Sequence, residues 1–270
     1  MFFFLMVGCN SRKKEVLKAD NQLLIIENLI EMNSLNLAKL KIDSFHINFR
    51  NLVDKRKIAS ALEDTITRRE CLRTLLYCDS IYPILKHEFD SLIKFFRFEK
   101  DTVYQQNGNY IHKSQSTEKN LNRNYLKCLV DENGRLQLIS NYTGTKIEHK
   151  WIEVRSGDFF AETDTTVNNN YSEHYYNNGG YYFERVTYEN QAAEDIVKFI
   201  YNNNLSVIYV TLKGKTNFKY KLNNIDIKVI IESYHLWIVK KDIIKLEKEI
   251  QKSNIKINKI NFRNNKNNKI

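Results

Sequence analysis

Three groupings in this 270-residue chain have the side-chain types that chemistry needs. His112-Lys113-Ser114-Gln115-Ser116-Thr117-Glu118 holds histidine, serine and glutamate, the types of a base, a nucleophile and an orienting acid. Such a set acts only when the side chains meet in order, and the types alone are common. No Gly-x-Ser-x-Gly elbow occurs anywhere in the chain. The stretch therefore reads as a polar loop, and as the first place to look for a ligand. Tyr171-Ser172-Glu173-His174-Tyr175-Tyr176 and Tyr181-Tyr182-Phe183 flank Asn177-Asn178-Gly179-Gly180. Aromatic rings on an exposed hairpin can stack on sugar faces, although strands favour Tyr and Phe for packing alone. Glu162, Asp164, Glu173 and His174 are metal-ligand types without ligand spacing. No Cys/His pattern resembles a zinc site. Tyr110, His112, Tyr175, Tyr176 and Tyr181 are the expected ligand-binding residues, from the loop and the hairpin taken separately, and no catalytic residue, metal or cofactor is expected.

Cys9 carries the most specific signal. It follows Met1-Phe2-Phe3-Phe4-Leu5-Met6-Val7-Gly8, an apolar run closed by a small residue. The run is near the short limit of a secretory signal, about 7 residues, and no basic segment precedes it. It is too short to span a bilayer, which takes about 20 apolar residues. Leu5 to Cys9 resembles the lipobox of bacterial lipoproteins, in which residues 1–8 are removed and the cysteine becomes an acylated first residue. That resemblance implies a membrane anchor at Cys9, because several acyl chains hold stably where one binds marginally. Asn10 stands where an inner-membrane retention signal has Asp, which implies the outer membrane. Arg12-Lys13-Lys14 stands where a surface-export signal is acidic, which implies the periplasmic face. Cys71, Cys78 and Cys128 remain, an odd number. Cys71 and Cys78 fall on a predicted helix about 10 Å apart, beyond disulfide reach. All three read as core residues, with a pairing of Cys128 left open.

Composition sets bounds on the rest. An apolar fraction of 42% with 12% aromatics can build a sizeable core, and the length suits one large or two small domains. The net charge of +10 points to an anionic surface or nucleic acid, but its location matters more. The segment from Lys240 to Ile270 holds ten Lys/Arg against three acids, and Arg12, Lys13 and Lys14 add most of the remainder. The middle of the chain is near neutral and shows no basic groove interleaved with aromatics. Nucleic acid is not an expected partner.

The elements that must position these residues follow from periodicity. Leu23, Ile26, Leu29 and Ile30 predict a helix, Asn33-Ser34 a break with Ser34 as N-cap, and Leu37 to Phe45 a second helix. Ile58 to Phe96 predicts a long helix with a kink or restart near Pro83. Tyr125–Val130 and Leu136–Tyr142 alternate around Asp131-Glu132-Asn133-Gly134, a strong hairpin signal. Further strands are predicted at 147–154, 159–165, 181–188, 206–212 and 218–222, with one helix at 191–201. Leu236, Val239, Ile243, Leu246, Ile250, Ile257 and Ile260 form a heptad-like seam on a C-terminal helix. The predicted fold is α+β: an N-terminal helical hairpin and long helices, an antiparallel sheet or small sandwich, and a coiled-coil-like C-terminal helix. The predicted division is 1–8 signal, 9–97 helical, 98–222 β-rich, 223–260 helix packing on the helical region, and 261–270 a frayed basic tail. A homodimer through the C-terminal seam is the alternative to intramolecular packing.

Phe98-Glu99-Lys100-Asp101, Gly108-Asn109-Tyr110, His112-Lys113-Ser114-Gln115, Asn124-Tyr125-Leu126, Val130-Asp131-Glu132-Asn133-Gly134 and Ser140-Asn141-Tyr142 form a distinctive block. With the lipobox, Tyr77-Cys78-Asp79-Ser80 and Asp242 to Ile250, it resembles uncharacterised Bacteroidota-type cell-envelope lipoproteins across most of the chain. The resemblance implies the same three-part architecture and no particular reaction. The functional expectation is a non-catalytic binding or scaffolding component of the envelope, its partner another envelope protein or a glycan. Glycan hydrolysis is the runner-up and requires paired carboxylates about 5–10 Å apart in one cleft.

Overall fold

The structure is a computed structural model that describes residues 7–101, 106–116, 119–120, 122–163, 171–178 and 181–267. Met1–Met6, Thr117, Glu118, Asp164, Thr165, Gly179, Gly180 and the last three residues of the tail lie outside the described residues. The fold is α+β, with N-terminal helices, antiparallel sheets in the middle and a long C-terminal helix. Two compact units divide it: Met1–Ser80 with Glu247–Ile270, and Ile81–Leu246. The division falls inside two long helices.

In the helical unit, α1 (Val7–Glu31) and α2 (Leu35–Asn48) form a hairpin. Leu23, Ile26 and Ile30 of α1 share one core with Ala38, Ile42 and Phe45 of α2, all at helical spacing. Asn33 makes the turn with φ 58°, a conformation asparagine tolerates. Ser34 is the N-cap residue as expected, but its hydroxyl makes no capping bond; its carbonyl accepts from Ala38 N at 3.0 Å. The third helix, α3 (Val53–Leu92), adds Ala59 and Ile66 to this core. It runs parallel to α1, since Lys55 pairs with Asp20 and Arg69 donates to Ile30 O at 2.6 Å. The helix is continuous through Pro83, without the predicted restart. Proline removes one helical hydrogen bond, and buried Cys78 before it and Phe89 after it hold the helix on either side.

The C-terminal helix, α5, spans Asn224–Asn267 and so includes residues expected to fray. Its end is held in the helical unit by buried Ile260 and by Arg263, which donates to Asp64 at 2.6 Å. Its first part lies in the other unit, where Leu236, Trp237, Val239 and Ile243 are buried. Of the heptad-like seam, Leu236, Val239, Ile243, Leu246 and Ile260 are buried and Ile250 and Ile257 partly so.

The sheet unit holds two antiparallel sheets. The first has β1 (Phe96–Glu99), β2 (Asn109–His112), β3 (Tyr125–Asp131), β4 (Leu136–Gly144), β7 (Tyr171–Asn178) and β8 (Tyr181–Glu189), in the order β1-β2-β3-β4-β8-β7. The second has β5 (Trp151–Ser156), β6 (Phe159–Glu162), β9 (Tyr209–Lys213) and β10 (Phe218–Lys221), in the order β10-β9-β5-β6. The β3–β4 hairpin forms where Asn-Gly placed it. Asp131 Oδ1 accepts from Asn133 N and Arg135 N at 2.8 Å each, and Gly134 takes φ +74°. Leu126, Cys128, Leu138 and Val186 of the first sheet share a core with Ile152, Val154, Val210 and Leu212 of the second. The helix α4 (Asn190–Asn202) adds Ala193, Ile196, Val197 and Ile200. Cys71, Cys78 and Cys128 are all buried and free, so Cys128 makes no disulfide.

Candidate functional site

The five expected ligand residues fall on two parts of the first sheet, Tyr110 and His112 on β2 and Tyr175, Tyr176 and Tyr181 on β7 and β8. Tyr110 on β2 packs edge-on against Phe89 with centroids 5.8 Å apart and lies 5.1 Å from Phe98, so its ring belongs to the sheet edge. His112 ends the same strand and is 7% exposed. Its Nδ1 accepts from Ser114 N at 3.1 Å, which places the neutral-ring proton on Nε2, 2.7 Å from Glu232 Oε2 of α5. That approach is close but poorly aligned for a hydrogen bond. Burial pulls the His112 pKa below the usual 6.5 against the opposing pull of Glu232, so the ring is neutral at pH 7. Three strands separate β2 from β7, on the order of 19 Å at the usual strand spacing, so Tyr110 and His112 stand apart from the tyrosine hairpin. Tyr175 donates its hydroxyl to His149 O at 3.1 Å. The backbone of Tyr181 opens β8, and its side chain is not among those described. Tyr176 lines a cleft.

That cleft, of about 70 Å³, lies where the segment after His112 meets β4, β7 and β8. Strand pairing explains its composition. Asn141 pairs with Arg185, Thr143 with Phe183, and Phe183 with Tyr176, so these side chains share one sheet face. The Tyr176 and Phe183 rings stack at 4.7 Å with planes 4° apart, and Tyr176 is 60% exposed. Arg185 Nε donates to Asn141 Oδ1 at 3.2 Å, and among the described residues no carboxylate pairs with Arg185. Across the cleft, Arg123 binds Asp226 through both terminal nitrogens at 2.7 Å each. It also donates to Asn120 Oδ1 at 2.6 Å and lies 4.4 Å over the Tyr125 ring. Asp226 is 1% exposed in the first turn of α5, where its own N–H is capped by Asn223 Oδ1 at 2.7 Å. The Asp226 hydrogen bonds hold Arg123 firmly cationic against the cost of its partial burial. Burial raises the Tyr125 phenol above the usual 10, opposed by Arg185 and Arg123. The cleft therefore offers a ring-stacking platform, amide groups and a guanidinium not neutralised by any described acid.

Beneath it, on the opposite face of β4 and β8, lies a chain of groups that the sequence had hidden. Ser140 Oγ is 2.6 Å from His149 Nε2, and His149 Nδ1 is 2.7 Å from Glu184 Oε2. This is the order and spacing of a nucleophile, a base and an orienting acid. Ser140 and His149 are 0% exposed and Glu184 2%, enclosed between the two sheets. No substrate reaches Ser140 in this arrangement, and Glu184 has another task. Its carboxylate accepts from the backbone N–H groups of Ile147 and Glu148 at 2.8 Å and of His149 at 3.0 Å. Burial pushes the Glu184 pKa up, but the hydrogen bonds from the His149 ring and these three N–H groups outweigh it, and the group stays ionised below the usual carboxylate range. Those bonds also explain why β5 begins at Trp151 and not at 147: the amides of 147–149 serve Glu184 instead of a ladder. The chain joins β4, β8 and the segment that leads into the second sheet.

Two further clefts lie in the helical unit. One, of about 370 Å³, is lined in part by His46, Arg56, Lys57, Ser60, Asp64 and Arg263. The other, about 610 Å³, lies beside Ile255, Lys259 and Phe262. None of the three clefts holds two carboxylates, so the paired acids that glycan hydrolysis requires are not found in them. Among the described residues no group of three or more His, Cys, Asp or Glu could hold a metal ion. No helix is long and apolar enough to cross a membrane among these residues.

Sequence reasoning missed Asn120, Arg123, Asn141 and Arg185, and placed Phe183 only within the aromatic flank of the hairpin. The available signal was alternation on 183–188: Phe183, Arg185 and Thr187 take one face, while Glu184, Val186 and Tyr188 take the other, with an acid in the core phase. No family model, curated protein or solved structure matches this chain.

Proposed function

We propose that this chain is a lipid-anchored protein of the bacterial cell envelope, held through Cys9, whose sheet unit binds an envelope glycan without catalysis. The observation that carries the binding reading is the Tyr176–Phe183 stack beside Arg185 and Asn141 at the rim of the cleft. Packing alone does not account for a tyrosine that is stacked face to face and still 60% exposed. A cleft of about 70 Å³ is too small for a whole sugar ring but admits a polar substituent with water. The ring itself stacks on Tyr176, and its substituent points toward Arg185 and Asn141. The guanidinium favours a carboxylate or phosphate there, since charge-assisted bonds are about twice as strong as neutral ones. The anchor reading rests on the Leu5–Cys9 pattern.

The test is saturation-transfer NMR with oligosaccharides bearing a uronic acid or a phosphate, followed by titration of Tyr176→Ala. Contact of the sugar ring with the protein, and a loss on the order of tenfold in the variant, support the reading. Absence of transfer from every charged and neutral sugar tried would remove it. Incorporation of an alkyne-tagged fatty acid into wild type, and not into Cys9→Ala, tests the anchor separately.

A further inference from the structure

We propose that the end of the helical unit nearest Cys9 is a docking surface for anionic phospholipid headgroups, a reading that rests on the Cys9 anchor. The hairpin geometry brings several segments to that end. The turn at Met32–Ser34 marks the far end of α1 and α2, so Val16 on α1 is level with the α2–α3 connection near Phe49. α3 starts at the same level, as the Lys55–Asp20 pair shows. Cys9 lies seven residues before Val16 on the α1 helix, about 10 Å further along the axis. A membrane that holds an acylated Cys9 is therefore faced by Arg12, Lys13 and Lys14 of α1, by Arg50 of the connection, and by Arg56 and Lys57 of α3.

The charge there is unbalanced. Lys55 is paired with Asp20, Arg263 with Asp64, and Lys57 loosely with Asp54 at 3.5 Å. Among the described residues, no carboxylate pairs with Arg12, Lys13, Lys14, Arg50 or Arg56. Arg56 instead lies 3.4 Å from His46 Nδ1. Arg56 and Lys57 line the cleft of about 370 Å³ together with the Ser60 hydroxyl, while Arg263 in the same lining is already paired with Asp64, so the recess offers a phosphate diester two cations and a donor. Beside it Val53 is 58% exposed at the start of α3, an apolar residue placed to enter the interfacial layer. A basic surface next to an acyl anchor is the two-signal arrangement that makes membrane attachment stable and sets the protein's orientation on the bilayer.

The test uses the full chain with Cys9→Ser, so that acylation plays no part, and sedimentation with vesicles. One set is pure phosphatidylcholine and the other one-third phosphatidylglycerol, at about 0.1 M salt. The expected result is binding to the anionic vesicles alone, weakened by added salt. The variant Arg12→Gln, Arg50→Gln, Arg56→Gln, Lys57→Gln should lose about fivefold per cation, or roughly six-hundredfold in partition. A control with Lys94, Arg97, Lys219 and Lys221 of the sheet unit changed to Gln should bind as the parent does, and circular dichroism melting reports that both variants fold. Equal binding to both vesicle types, or an equal loss in the control, overturns the proposal. So does displacement by inorganic phosphate beyond that by chloride at equal ionic strength, which would assign the recess to the free ion. Fatty-acid labelling of wild type reads the anchor independently, so a failed surface and a failed anchor are told apart.

Discussion

Replacing Glu184 by Gln keeps the shape of a buried side chain and removes its charge. In the structure one carboxylate oxygen accepts from Ile147 N and Glu148 N, and the other from His149 N and the His149 ring. A glutamine can orient its oxygen toward only one of these pairs. With that oxygen on Ile147 N and Glu148 N, its amide nitrogen can donate to the His149 ring, which then carries its proton on Nε2 beside Ser140, but His149 N is left buried and unsatisfied. That loss, with the weakening of charge-assisted bonds, should make the variant less stable by about 2–3 kcal/mol. At about 2–4 °C per kcal/mol the melting temperature should fall by roughly 4–12 °C. The assay is thermal and urea unfolding followed by circular dichroism. The pH dependence supplies a second readout. The folded pKa of Glu184 lies below the usual 4.5, so its stabilisation is present above about pH 4.5 and is lost as pH falls through the folded value. Wild type should lose stability on acidification through this range more steeply than Glu184→Gln. An unchanged melting point in the variant would falsify the assignment of Glu184 as the link between the two sheets. Ser140→Ala should cost only about 1 kcal/mol, since it removes one bond and leaves a histidine nitrogen unpaired.

Three more outcomes follow from the same geometry. Asp226→Asn, which breaks the bidentate pair with Arg123, should cost about 2–3 kcal/mol in urea unfolding; the figure sits below that of a fully buried pair because the arginine side chain is 30% exposed. His112 is held neutral, with its pKa below the usual 6.5, so the unfolded chain takes up the proton first and stability should fall as pH drops below about 6.5; His112→Gln should flatten that limb of the melting-temperature profile. The Cys128 thiol is fully buried and pushed up to about 12, so iodoacetamide should leave it unmodified in the native protein and label it once urea unfolds the chain, as read by mass spectrometry.

The hairpin at Asn133-Gly134 and the long terminal helix were legible in the sequence because local rules determine them: a turn needing positive φ in one case, a heptad-like spacing in the other. The short strands β1 and β2, four residues each, were not. A four-residue strand shows two alternations at most, which composition cannot separate from a loop. β7 was read as an aromatic flank and not as an edge strand because its masking of polar with aromatic residues breaks the apolar alternation. The seven-residue polar stretch from His112 has the residue types of a triad but reads as a loop, and the ordered serine, histidine and glutamate are Ser140, His149 and Glu184, on two strands and a connection. Their meeting depends on β4 pairing with β8 across an insertion, a long-range fact that no local window contains. Glu184 did leave a trace, as an acid in phase with Val186 and Tyr188. Tyr176 was identified as a surface aromatic from its type, but its companions Arg185 and Asn141 come from cross-strand register alone.

The central claim is that the cleft beside Tyr176 binds a sugar bearing an acidic group. The most direct measurement is calorimetric titration of wild type, Tyr176→Ala and Arg185→Gln with one uronic-acid oligosaccharide and its carboxyl-reduced counterpart. Wild type should prefer the acidic sugar by about tenfold, Arg185→Gln should remove the preference, and Tyr176→Ala should weaken both sugars, with melting temperatures unchanged. Equal affinity of wild type for both sugars, or a preference that survives in Arg185→Gln, would contradict it.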